Sequence, residues 1–477
     1  MTGTPLSRPA YTSSHGGATP PARMLHLGLG AFHRAHQAWY TWASDPAQEW
    51  GIAAYTGRRP DMAQLLRGQG GLYTLIERGP AQDRFQIITS LVEAHDGADL
   101  ATFCAQLSAP TTTLVTLTIS EAGYRSDRTG RADPSDEQLW QDAAALADLV
   151  RLEGSRFARE VEGSHLQTVP GRLLLGLESR RRAEAGPVAL VSCDNVAANG
   201  AVLGRVLADL AMAVDPALAE WVRSDAVSFV ETSIDRITPA TQPADAAAVA
   251  AVTGWRDSCP VVTEPFTDWI LSGAFPAGRP AWEEAGARIV DRIQPFEQRK
   301  LWLLNGAHSL LAYAGLTRGH RTVGEASVDD VLRSRVDAFW DEAVTHLDPE
   351  LPDLGAYREQ LSSRFGNSRI EHRLAQIATD GSTKLGLRVA PVARAERAAG
   401  RSAEGCAFVL GSWIAALRGG AAIADSNADA VAAALRLEGP ASTRALLRLV
   451  DPDLADDTGF ISAVRQHTRE LAAEATN

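Results

Sequence analysis

Short apolar segments alternate with helical patterns along the first part of the chain. The apolar run Met24–Gly30 predicts a buried strand that ends in glycines, and the pattern from Ala31 to Ala43 predicts a helix after it. Trp50–Tyr55 predicts a second strand. Further strands are predicted at Leu72–Ile76, Phe85–Val92, Thr112–Ile119, Val188–Cys193, Val227–Thr232 and Pro260–Val262, with helices such as Asp136–Leu152 and Leu173–Ala185 between them. This alternation favours an α/β domain with a largely parallel sheet.

Helical patterns dominate from about Arg292 onwards, and the strand patterns fade. We predict a boundary near Val290, with an α/β domain over residues 23–290 and a mostly α-helical domain over 291–477. Residues 1–22 are rich in Ser, Thr, Gly and Pro, a composition that predicts a flexible leader. Helices of the second domain are predicted at Phe296–Ala314, Val328–Leu347, Tyr357–Arg364, Ile370–Ala378, Ala407–Arg418, Ala428–Leu437 and Ser442–Leu449.

Composition narrows the class of partner. The length of 477 residues suits two domains, and the formal net charge of −12 disfavours nucleic acids and anionic membranes. We therefore expect a small-molecule partner. The four cysteines are scattered and have no histidine at zinc spacing, so neither a metal site nor a disulfide framework is expected. With no signal pattern and no apolar run of membrane-spanning length, the expected location is the cytoplasm.

Lysine is nearly absent from the chain. Of 46 basic residues only two are lysines, Lys300 and Lys384. Arginine stays protonated under ordinary conditions, whereas a lysine loses its proton when it is buried or lies near other positive charge. The two lysines are therefore candidates for positions where arginine cannot do the chemistry. The alternative is that two lysines survived drift in an arginine-biased chain.

Gly28 and Gly30 follow the first apolar strand and precede a helix, which is the setting of a dinucleotide-binding turn. Glycines let the backbone approach a pyrophosphate, and a helix N-terminus supplies free amides. The third glycine of the full pattern is replaced by His33, and Arg34 follows it as a candidate phosphate ligand. A tight turn without a ligand is therefore the alternative.

The end of the second predicted strand bears on the choice of dinucleotide. An acidic residue there binds the ribose 2′-hydroxyl of NAD, and an arginine nearby accommodates the 2′-phosphate of NADP. This chain has Arg58, Arg59 and Asp61 in that region. Because two arginines compete with one aspartate, the sequence leaves the choice open.

The segment from Lys300 to His308 has a strongly helical, largely apolar pattern. On an α-helix Asn305 lies about 140° around the axis from Lys300, and His308 about 80°. A neutral lysine that accepts a hydroxyl proton, an amide that stabilises the alkoxide and a histidine that binds a second hydroxyl suit alcohol oxidation. Glu297, one turn earlier, either relays protons or holds the lysine charged. The alternative is a helix whose polar side faces water.

Several segments occur in the order of one known family and span most of the chain. They are Leu27–His36, Gly71–Thr74, Ser192–Asn195 with Asn199 and Gly200, Asp235–Pro239, Glu264–Phe266, the set Lys300, Asn305 and His308, and Asp380–Lys384. In these segments the chain resembles the polyol-specific long-chain dehydrogenase/reductase family, which includes mannitol 2-dehydrogenases and fructuronate reductases. The resemblance implies a metal-free, NAD(P)-dependent dehydrogenase with a Rossmann-like N-terminal domain and a helical C-terminal domain. Its active site would lie in the cleft between them.

The resemblance also implies roles for particular residues. Lys300 would be the general acid/base, Asn195 and Asn305 the oxyanion pair, His308 a substrate-positioning residue and Glu297 a proton relay. Asp235 and Lys384 would contact the substrate. The cofactor-binding residues would be Gly28, Gly30, Phe32, Arg34, Ser120 and Glu121. We expect NAD or NADP as cofactor, with NAD favoured, and a monomer or weak homo-oligomer.

The segment His372–Ser382 is more similar to the fructuronate reductase branch, because Gln376 stands where the mannitol branch has an arginine. A hexonate needs a cation for its carboxylate, and Arg373 or Lys384 would supply it. We therefore expect interconversion of D-mannonate and D-fructuronate. The alternative within the family is a mannitol 2-dehydrogenase or another polyol dehydrogenase, acting on mannitol and fructose or on arabinitol and xylulose.

Other classes fit less well. A short-chain dehydrogenase needs a lysine four residues after a tyrosine, and no tyrosine here has one. A zinc alcohol dehydrogenase needs a Cys/His cluster that the chain lacks. A non-catalytic dinucleotide-binding sensor on the same fold is the alternative from a different class. The complete set of Lys300, Asn305, His308 and Asn195 argues against a sensor.

Overall fold

The computed structural model describes residues 3–421 and 423–474 and divides into two units, Met1–Ile293 and Gln294–Asn477. The first unit contains the strands, and the second is built from helices. Among the described residues, no helix combines the length and apolar character that a membrane crossing requires. The strands are β1 (Thr4–Pro5), β2 (Ala22–Leu27), β3 (Gly51–Tyr55), β4 (Tyr73–Arg78), β5 (Asp83–Ile88), β6 (Leu91–His95), β7 (Leu114–Leu117), β8 (Val188–Ser192), β9 (Val227–Asp235), β10 (Trp255–Arg256), β11 (Val261–Thr263), β12 (Asp268–Ser272) and β13 (Arg288–Ile289).

The large sheet of the first unit has the strand order β13-β12-β9-β8-β7-β2-β3-β6. From β6 to β9 the neighbouring strands are parallel, and β12 is antiparallel to β9. Numbered along the chain, the six parallel strands have the order 3-2-1-4-5-6 of the Rossmann fold. The strand order therefore runs outwards in both directions from β2 and β7. The crevice between these two strands is the switch point, where such sheets bind ligands.

Helices cover both faces of this sheet. Leu25 and Leu27 of β2 belong to one hydrophobic core and Met24 to another, as the two-residue period of a strand requires. A strand buried on both faces has to be apolar throughout, which explains the continuous apolar runs in the sequence. The helices are α1 (Arg8–His15), α2 (Ala31–Ala35), α3 (Gln37–Ser44), α4 (Asp61–Gly68), α5 (Leu100–Leu107), α6 (Glu137–Val150), α7 (Gly154–Gly163), α8 (Val169–Arg182), α9 (Asn199–Val214), α10 (Pro216–Val222) and α11 (Pro243–Thr253).

The fold class predicted from the sequence is confirmed, but local elements differ. The helix predicted over Ala31–Ala43 is interrupted at His36, so that α2 has only five residues. The single strand predicted over Phe85–Val92 is two strands, because β5 pairs with β4 in a small sheet and β6 pairs with β3 in the large one. Strands β12 and β13 were not predicted.

The first residues also differ from the flexible leader that their composition predicts. β1 pairs with β10, and α1 begins at Arg8 after Ser7, whose side chain accepts the Ala10 amide. The guanidinium of Arg8 donates to the carbonyls of Gly70, Thr89 and Leu91. A serine cap followed by proline is a helix start signal, and it outweighs the polar composition.

The second unit is helical, as predicted. The helix expected at Ile370–Ala378 is reduced to α17, because Arg373 forms a bridge with Thr322 just before it. The helices are α12 (Gln294–Arg299), α13 (Ala307–Thr317), α14 (Val323–Ser327), α15 (Asp330–Val344), α16 (Leu354–Phe365), α17 (Leu374–Ile377), α18 (Gly381–Arg388), α19 (Ala390–Ala398), α20 (Glu404–Arg418), α21 (Ala428–Leu435), α22 (Gly439–Val450) and α23 (Thr458–Glu474), with a π-helix at Lys300–Gly306.

Candidate active site

The glycine turn after β2 lies between the carboxyl ends of the neighbouring strands β3 and β7. The amides of Gly28 and Leu29 both donate to the carbonyl of Tyr55, at 3.0 and 2.9 Å. Gly28 has φ +105°, and a Cβ there would overlap the carbonyl oxygen of Thr118. Only glycine meets both conditions, so the turn holds the backbone of β2 against β3 and β7.

A cavity of about 600 Å³ opens at this turn, at the carboxyl ends of the parallel strands. Its lining includes Gly28, Thr56, Arg58, Gly97, Ser120 and Arg172. The cavity lies at the switch point of the sheet, where α/β folds bind dinucleotides. A glycine cradle, open volume and positive charge together fit the pyrophosphate and adenosine of a nicotinamide dinucleotide.

Asp194, which follows β8, shapes the cavity wall. Its carboxylate accepts the amides of Ile119 and Ser120 at 3.0 and 2.7 Å and the hydroxyl of Tyr124 at 3.0 Å. Burial is the largest effect on this carboxyl and raises its pKa. Ser120 has φ 64° and ψ 164°, a conformation that residues other than glycine rarely adopt. Asp194 therefore maintains a strained backbone at the cavity.

Asn195 comes directly after Asp194, and the following residues fix this turn. Asn199 is fully buried and donates to the carbonyls of Asp194 and Thr232, at 2.9 and 2.8 Å. Its own oxygen accepts the Thr232 amide at 3.0 Å. At Gly200 a Cβ would press on the backbone of Val230, so α9 packs closely against β9 only because this residue is glycine.

Asp235 ends β9, and its neighbour Arg236 anchors that end. The buried guanidinium of Arg236 donates to the carbonyls of Ala35 and Glu264 at 2.6 and 3.2 Å and stacks over the ring of Trp39. Burial lowers the pKa of Arg236 to about 10. The anchor ties the end of β9 to α2, beside the glycine turn.

His33 occupies the place of the third glycine in the dinucleotide pattern. Its ring stacks on that of His26, with centroids 3.4 Å apart, and both side chains are fully buried. The two nitrogens of His26 contact the hydroxyls of Thr116 and Thr118 at 2.8 and 3.0 Å. Burial lowers the pKa of His26 to about 3 and that of His33 well below its usual value. His26 and His33 are therefore a neutral, stacked pair that packs next to the glycine turn.

In the second unit, Lys300 and Asn305 lie on the π-helix between α12 and α13. Hydrogen bonds of a π-helix run from residue i to residue i+5, the spacing of these two residues. The α-helix assumed from the sequence, with about 140° between them, is therefore wrong, and their side chains project from closer directions. Single π turns are rare and occur frequently at functional sites.

Residues of α15 pack against the π-helix. Trp340 donates its indole N–H to the carbonyl of Leu303 at 2.7 Å, so this buried acceptor has a side-chain partner. At Gly306 the space of a Cβ is taken by the ring of Phe339. These contacts stabilise a winding that backbone hydrogen bonding alone does not favour.

His308 is buried, with 8% of its surface exposed, and contacts the rings of Phe365 and His372. Its pKa is held well below the usual value, first by burial and then by the charges of His372, Arg364 and Arg388. His308 is therefore neutral near pH 7. A neutral imidazole has one donor and one acceptor nitrogen, which suits a substrate hydroxyl.

Arg388 of α18, the helix that also carries Lys384, is connected to the π-helix through Ser309. Its guanidinium donates to Ser309 Oγ at 3.1 Å, and Ser309 Oγ donates to the carbonyl of Asn305 at 3.1 Å. Lys384, one turn earlier on α18, donates to Thr379 Oγ1 at 3.0 Å. Burial and the charge of Arg388 lower the pKa of Lys384.

Two family models match the chain, the mannitol dehydrogenase Rossmann domain over residues 22–284 and the mannitol dehydrogenase C-terminal domain over residues 292–472. The chain belongs to the mannitol dehydrogenase family. Membership confirms the resemblance inferred from the motifs and the predicted class of enzyme, a nicotinamide-dependent oxidoreductase of CH–OH groups.

Relatives within the mannitol dehydrogenase family differ in their substrates. The chain is 34% identical to the D-mannonate oxidoreductase of Escherichia coli, over 86% of this chain and 82% of that protein. It is 34% identical to a D-arabinitol 4-dehydrogenase of Ralstonia nicotianae, over 93% and 95% of the two chains. Its structure is similar to the ternary complex of Pseudomonas fluorescens mannitol 2-dehydrogenase with NAD and D-mannitol, with a TM-score of 0.77, 28% identity and 99% of each chain covered.

Within this family fold, most residues singled out from the sequence fall into two groups. Gly28 and Ser120 line the cavity of the first unit, and Gly30 lies in the same turn as Gly28. Asn195 follows β8, and Asp235 is the last residue of the neighbouring strand β9. Lys300, Asn305 and His308 lie on one helical segment of the second unit, with Glu297 on α12 before it and Lys384 on the adjacent α18.

Other predicted residues lie elsewhere. Arg34, expected to hold phosphate, is buried and donates to the carbonyls of Gly30 and Cys259, so the structure gives it an anchoring position instead. Phe32 stacks on His36, and Glu121 begins an exposed 3-10 turn beside the cavity. Arg373 is exposed at the start of α17, and its side chain has no hydrogen bond or ion pair to any described residue.

Some residues that hold the candidates in place received no role from the sequence. Asp194, Asn199, Arg236 and Arg388 all act through backbone carbonyls, backbone amides or another side chain. The first three lie within the motif segments, and Arg388 lies one turn after Lys384. Among the described residues there is no group of three or more His, Cys, Asp or Glu side chains placed to hold a metal ion, and the four cysteines are unpaired and buried.

Proposed function

We propose that this protein interconverts a sugar acid and its keto form, D-mannonate and D-fructuronate, with Lys300 as general acid/base. The cofactor is a nicotinamide dinucleotide held at the Gly28 turn. The E. coli relative is named for D-mannonate, and this similarity supports a sugar acid as substrate. A polyol is the second candidate, supported by the relative named for D-arabinitol, which matches more of both chains.

The observation that carries the choice of a sugar acid is the charge around His308. The neighbours that lower its pKa are His372, Arg364 and Arg388. Lys384 lies beside Arg388, on a helix that packs against the π-helix. Basic groups therefore surround the predicted substrate-binding histidine. A carboxylate on the substrate would be stabilised there by charge-assisted hydrogen bonds, whereas a neutral polyol has no charge to match.

The proposed reaction assigns one task to each side chain. When bound, the nicotinamide supplies the hydride acceptor, or the donor in the reverse direction. Lys300 Nζ, as a neutral amine, takes the proton of the substrate hydroxyl and returns it on reduction of the ketone. Asn305 and Asn195 donate amide hydrogens to the oxygen as negative charge develops on it. Glu297 passes the proton from Lys300 to solvent, and His308 binds a neighbouring hydroxyl.

The proposal is tested by following reduced nicotinamide with D-fructuronate, fructose, D-mannonate, mannitol and arabinitol, each with both dinucleotides. We expect kcat/KM for the sugar acid to exceed that for any polyol by about 100-fold or more, because the basic groups around His308 attract a carboxylate and gain no charge interaction with a neutral polyol. Equal or better turnover of mannitol or arabinitol would assign the protein to the polyol branch. Dinucleotide binding without turnover of any substrate would indicate a sensor.

Lys384→Gln and Arg373→Gln form a matched pair for the same proposal. Both remove one positive charge from a residue first selected as a carboxylate ligand. Because Lys384 lies in the cationic cluster and Arg373 is exposed at the start of α17, we expect only Lys384→Gln to raise KM for fructuronate, by about tenfold or more. Equal effects of the two variants would contradict the assignment of Lys384.

A further inference from the structure

The carboxyl end of β3 forms one side of the nucleotide cavity. Tyr55, the last residue of β3, accepts the amides of Gly28 and Leu29. The residues after it are therefore the neighbours of the glycine turn. Where a pyrophosphate lies on that turn, the adenosine ribose extends towards the end of the next strand. In this protein Thr56, Gly57 and Arg58 line the cavity at that position.

The charge of the cavity wall differs from that of the whole protein. The chain carries a formal net charge of −12. The described residues that line the cavity nevertheless include Arg58, Arg125 and Arg172 and no aspartate or glutamate. A wall of this kind attracts an additional phosphate and offers no carboxylate acceptor for a free ribose 2′-hydroxyl.

Two of these three arginines form hydrogen bonds with other residues of the protein. Arg125 donates to Asp136 at 2.8 Å and to Gln138 at 2.7 Å, and Arg172 donates to the carbonyl of Leu166 at 2.9 Å. Arg58 is exposed and forms no hydrogen bond or ion pair with any residue that the structure describes. Its five N–H donors are thus available to a ligand.

The backbone around Arg58 leaves room for a bulky group. Apart from the chain neighbours Thr56 and Arg58, no described residue has an atom within 4 Å of the place where a Cβ on Gly57 would stand. Thr56 is fixed, because its amide donates to the carbonyl of His95 and its hydroxyl accepts the amide of Gly97 at 3.1 Å. Arg58 therefore lies beside open space, two residues beyond a firmly held point.

The acidic residues that follow Arg58 and precede Gly97 in the sequence have contacts of their own. Asp61 lies 4.0 Å from the guanidinium of Arg59, and both side chains are largely exposed. Asp96 accepts the amide of Ala98 at 3.0 Å. Neither belongs to the residues that line the cavity. The position at which an NAD-specific site presents a carboxylate is thus taken by Arg58.

We propose that Arg58 binds the 2′-phosphate of NADP(H), so that the protein binds the phosphorylated dinucleotide more tightly than NAD(H). This inference rests on the proposed binding of the cofactor at the Gly28 turn. It differs from the preference for NAD expected from the sequence. A bidentate guanidinium–phosphate contact explains an unpaired arginine beside a cavity that contains no acidic group.

The test measures binding to the complete protein without any sugar substrate. NADPH and NADH are titrated by protein fluorescence, and 2′,5′-ADP and 5′-ADP by calorimetry. We expect NADPH and 2′,5′-ADP to bind about tenfold or more tightly than their partners. Arg58→Ala removes that difference and leaves the affinity for NADH within about twofold. Arg58→Asp reverses the preference, because a carboxylate accepts the ribose hydroxyls and repels the phosphate.

Arg59→Ala is the matched control, since Arg59 is adjacent, exposed and outside the lining of the cavity. It should leave the ratio of the two affinities unchanged. The inference alone is overturned if the wild-type protein binds NADH as tightly as NADPH, or if Arg58→Ala and Arg59→Ala act equally. If neither dinucleotide binds, both the inference and the proposed cofactor site are overturned.

Discussion

The two units hold their candidate residues by different means. In the first unit the candidates lie on loops after parallel strands, and distant side chains fix those loops: Asp194 holds the amides of Ile119 and Ser120. In the second unit Lys300 and Asn305 lie on one short segment, and the local winding of the helix sets their spacing. In the first arrangement distant side chains position separate loops, whereas in the second the candidates share one helical turn, whose winding Trp340 and Phe339 support.

This difference predicts separate consequences for substitutions. The first unit's loops that line the cavity at the glycine turn should act on dinucleotide affinity, whereas Asn195, as a proposed donor to the substrate oxygen, should act on the chemical step. The residues of the π-helix should act on the chemical step and leave dinucleotide affinity unchanged. Measuring dinucleotide Kd and kcat side by side therefore tests whether the division between the units is real.

The largest effect is expected at Lys300. Lys300→Ala removes the proposed proton acceptor and should lower kcat by about 1,000-fold or more, with the Kd of the dinucleotide unchanged within about twofold. Lys300→Arg should be similarly inactive, because a guanidinium keeps the charge but does not give up its proton near neutral pH. Steady-state kinetics and fluorescence titration measure both quantities.

An active Lys300→Arg enzyme would show that Lys300 supplies charge and not proton transfer. A Lys300→Ala enzyme that retains kcat but loses dinucleotide affinity would break the comparison between the units. Circular dichroism and thermal unfolding confirm that each variant is folded.

The next effect concerns the two asparagines, one from each unit. Asn195→Ala and Asn305→Ala should each lower kcat by about 100-fold, because each removes one donor to the developing oxyanion. If both act on the same oxygen, the double variant should lose less than the product of the single losses. Full multiplicativity would mean that the two amides serve different groups.

Much of the first unit could be predicted from sequence because parallel strands covered on both faces are continuous apolar runs. The runs at Trp50–Tyr55 and Val188–Cys193 contain β3 and β8, and the run at Met24–Gly30 overlaps β2. The strand β12, which lies between β9 and the short edge strand β13, was missed because it is antiparallel to β9 and no helix directly precedes it. The leader was mistaken for a flexible segment because the composition of 1–22 hides the cap at Ser7.

The candidate site was only partly predictable for a related reason. Motif spacing located Lys300, Asn305 and His308, but it assumed 3.6 residues per turn. The π-helix depends on Trp340 and Phe339, which are far away in the sequence. Likewise, Arg34 looked like a phosphate ligand next to the glycines, and only the fold shows that its guanidinium points to buried carbonyls.

A smaller effect is expected for the two glycines of the turn, Gly28 and Gly30, because substitution should affect stability at one and dinucleotide affinity at the other. Gly28→Ala should destabilise the protein by about 3 kcal/mol, because the methyl group would overlap Thr118 and φ is positive. Gly30 has φ −131°, and a Cβ there would meet only the carbonyl of Gly28 at 3.5 Å. Gly30→Ala should therefore leave stability unchanged and weaken dinucleotide binding by about tenfold, since the methyl group obstructs the pyrophosphate.

Thermal unfolding and dinucleotide titration of the two variants make the comparison. Gly28→Ala should lower Tm by roughly 5–10 °C, and Gly30→Ala by less than about 1 °C. Equal losses of stability would mean that the turn tolerates no side chain at either position. Unchanged dinucleotide affinity in Gly30→Ala would remove the glycine turn from the proposed cofactor site.

The smallest effect is the response of the two units to acid. Burial lowers the pKa of His26 and His33 in the first unit and of His308 in the second. Such groups are neutral when folded but bind a proton when unfolded below pH 6.5, so their contribution to stability is complete above that pH and is lost as pH falls towards the folded pKa. Each should reduce the free energy of unfolding by about 1.4 kcal/mol per pH unit below pH 6.

Because His26 and His33 both lie in the first unit, both should add to the loss of stability of that unit as pH falls below about 6. Urea unfolding at pH 7, 6 and 5, with the two units followed by hydrogen exchange, measures both slopes. His33→Gln should reduce the slope of the first unit, because it removes one proton that is taken up on unfolding. His165→Gln, at an exposed site, is the control. A slope that His33→Gln leaves unchanged would mean that the stacked pair with His26 opens to solvent before the unit unfolds.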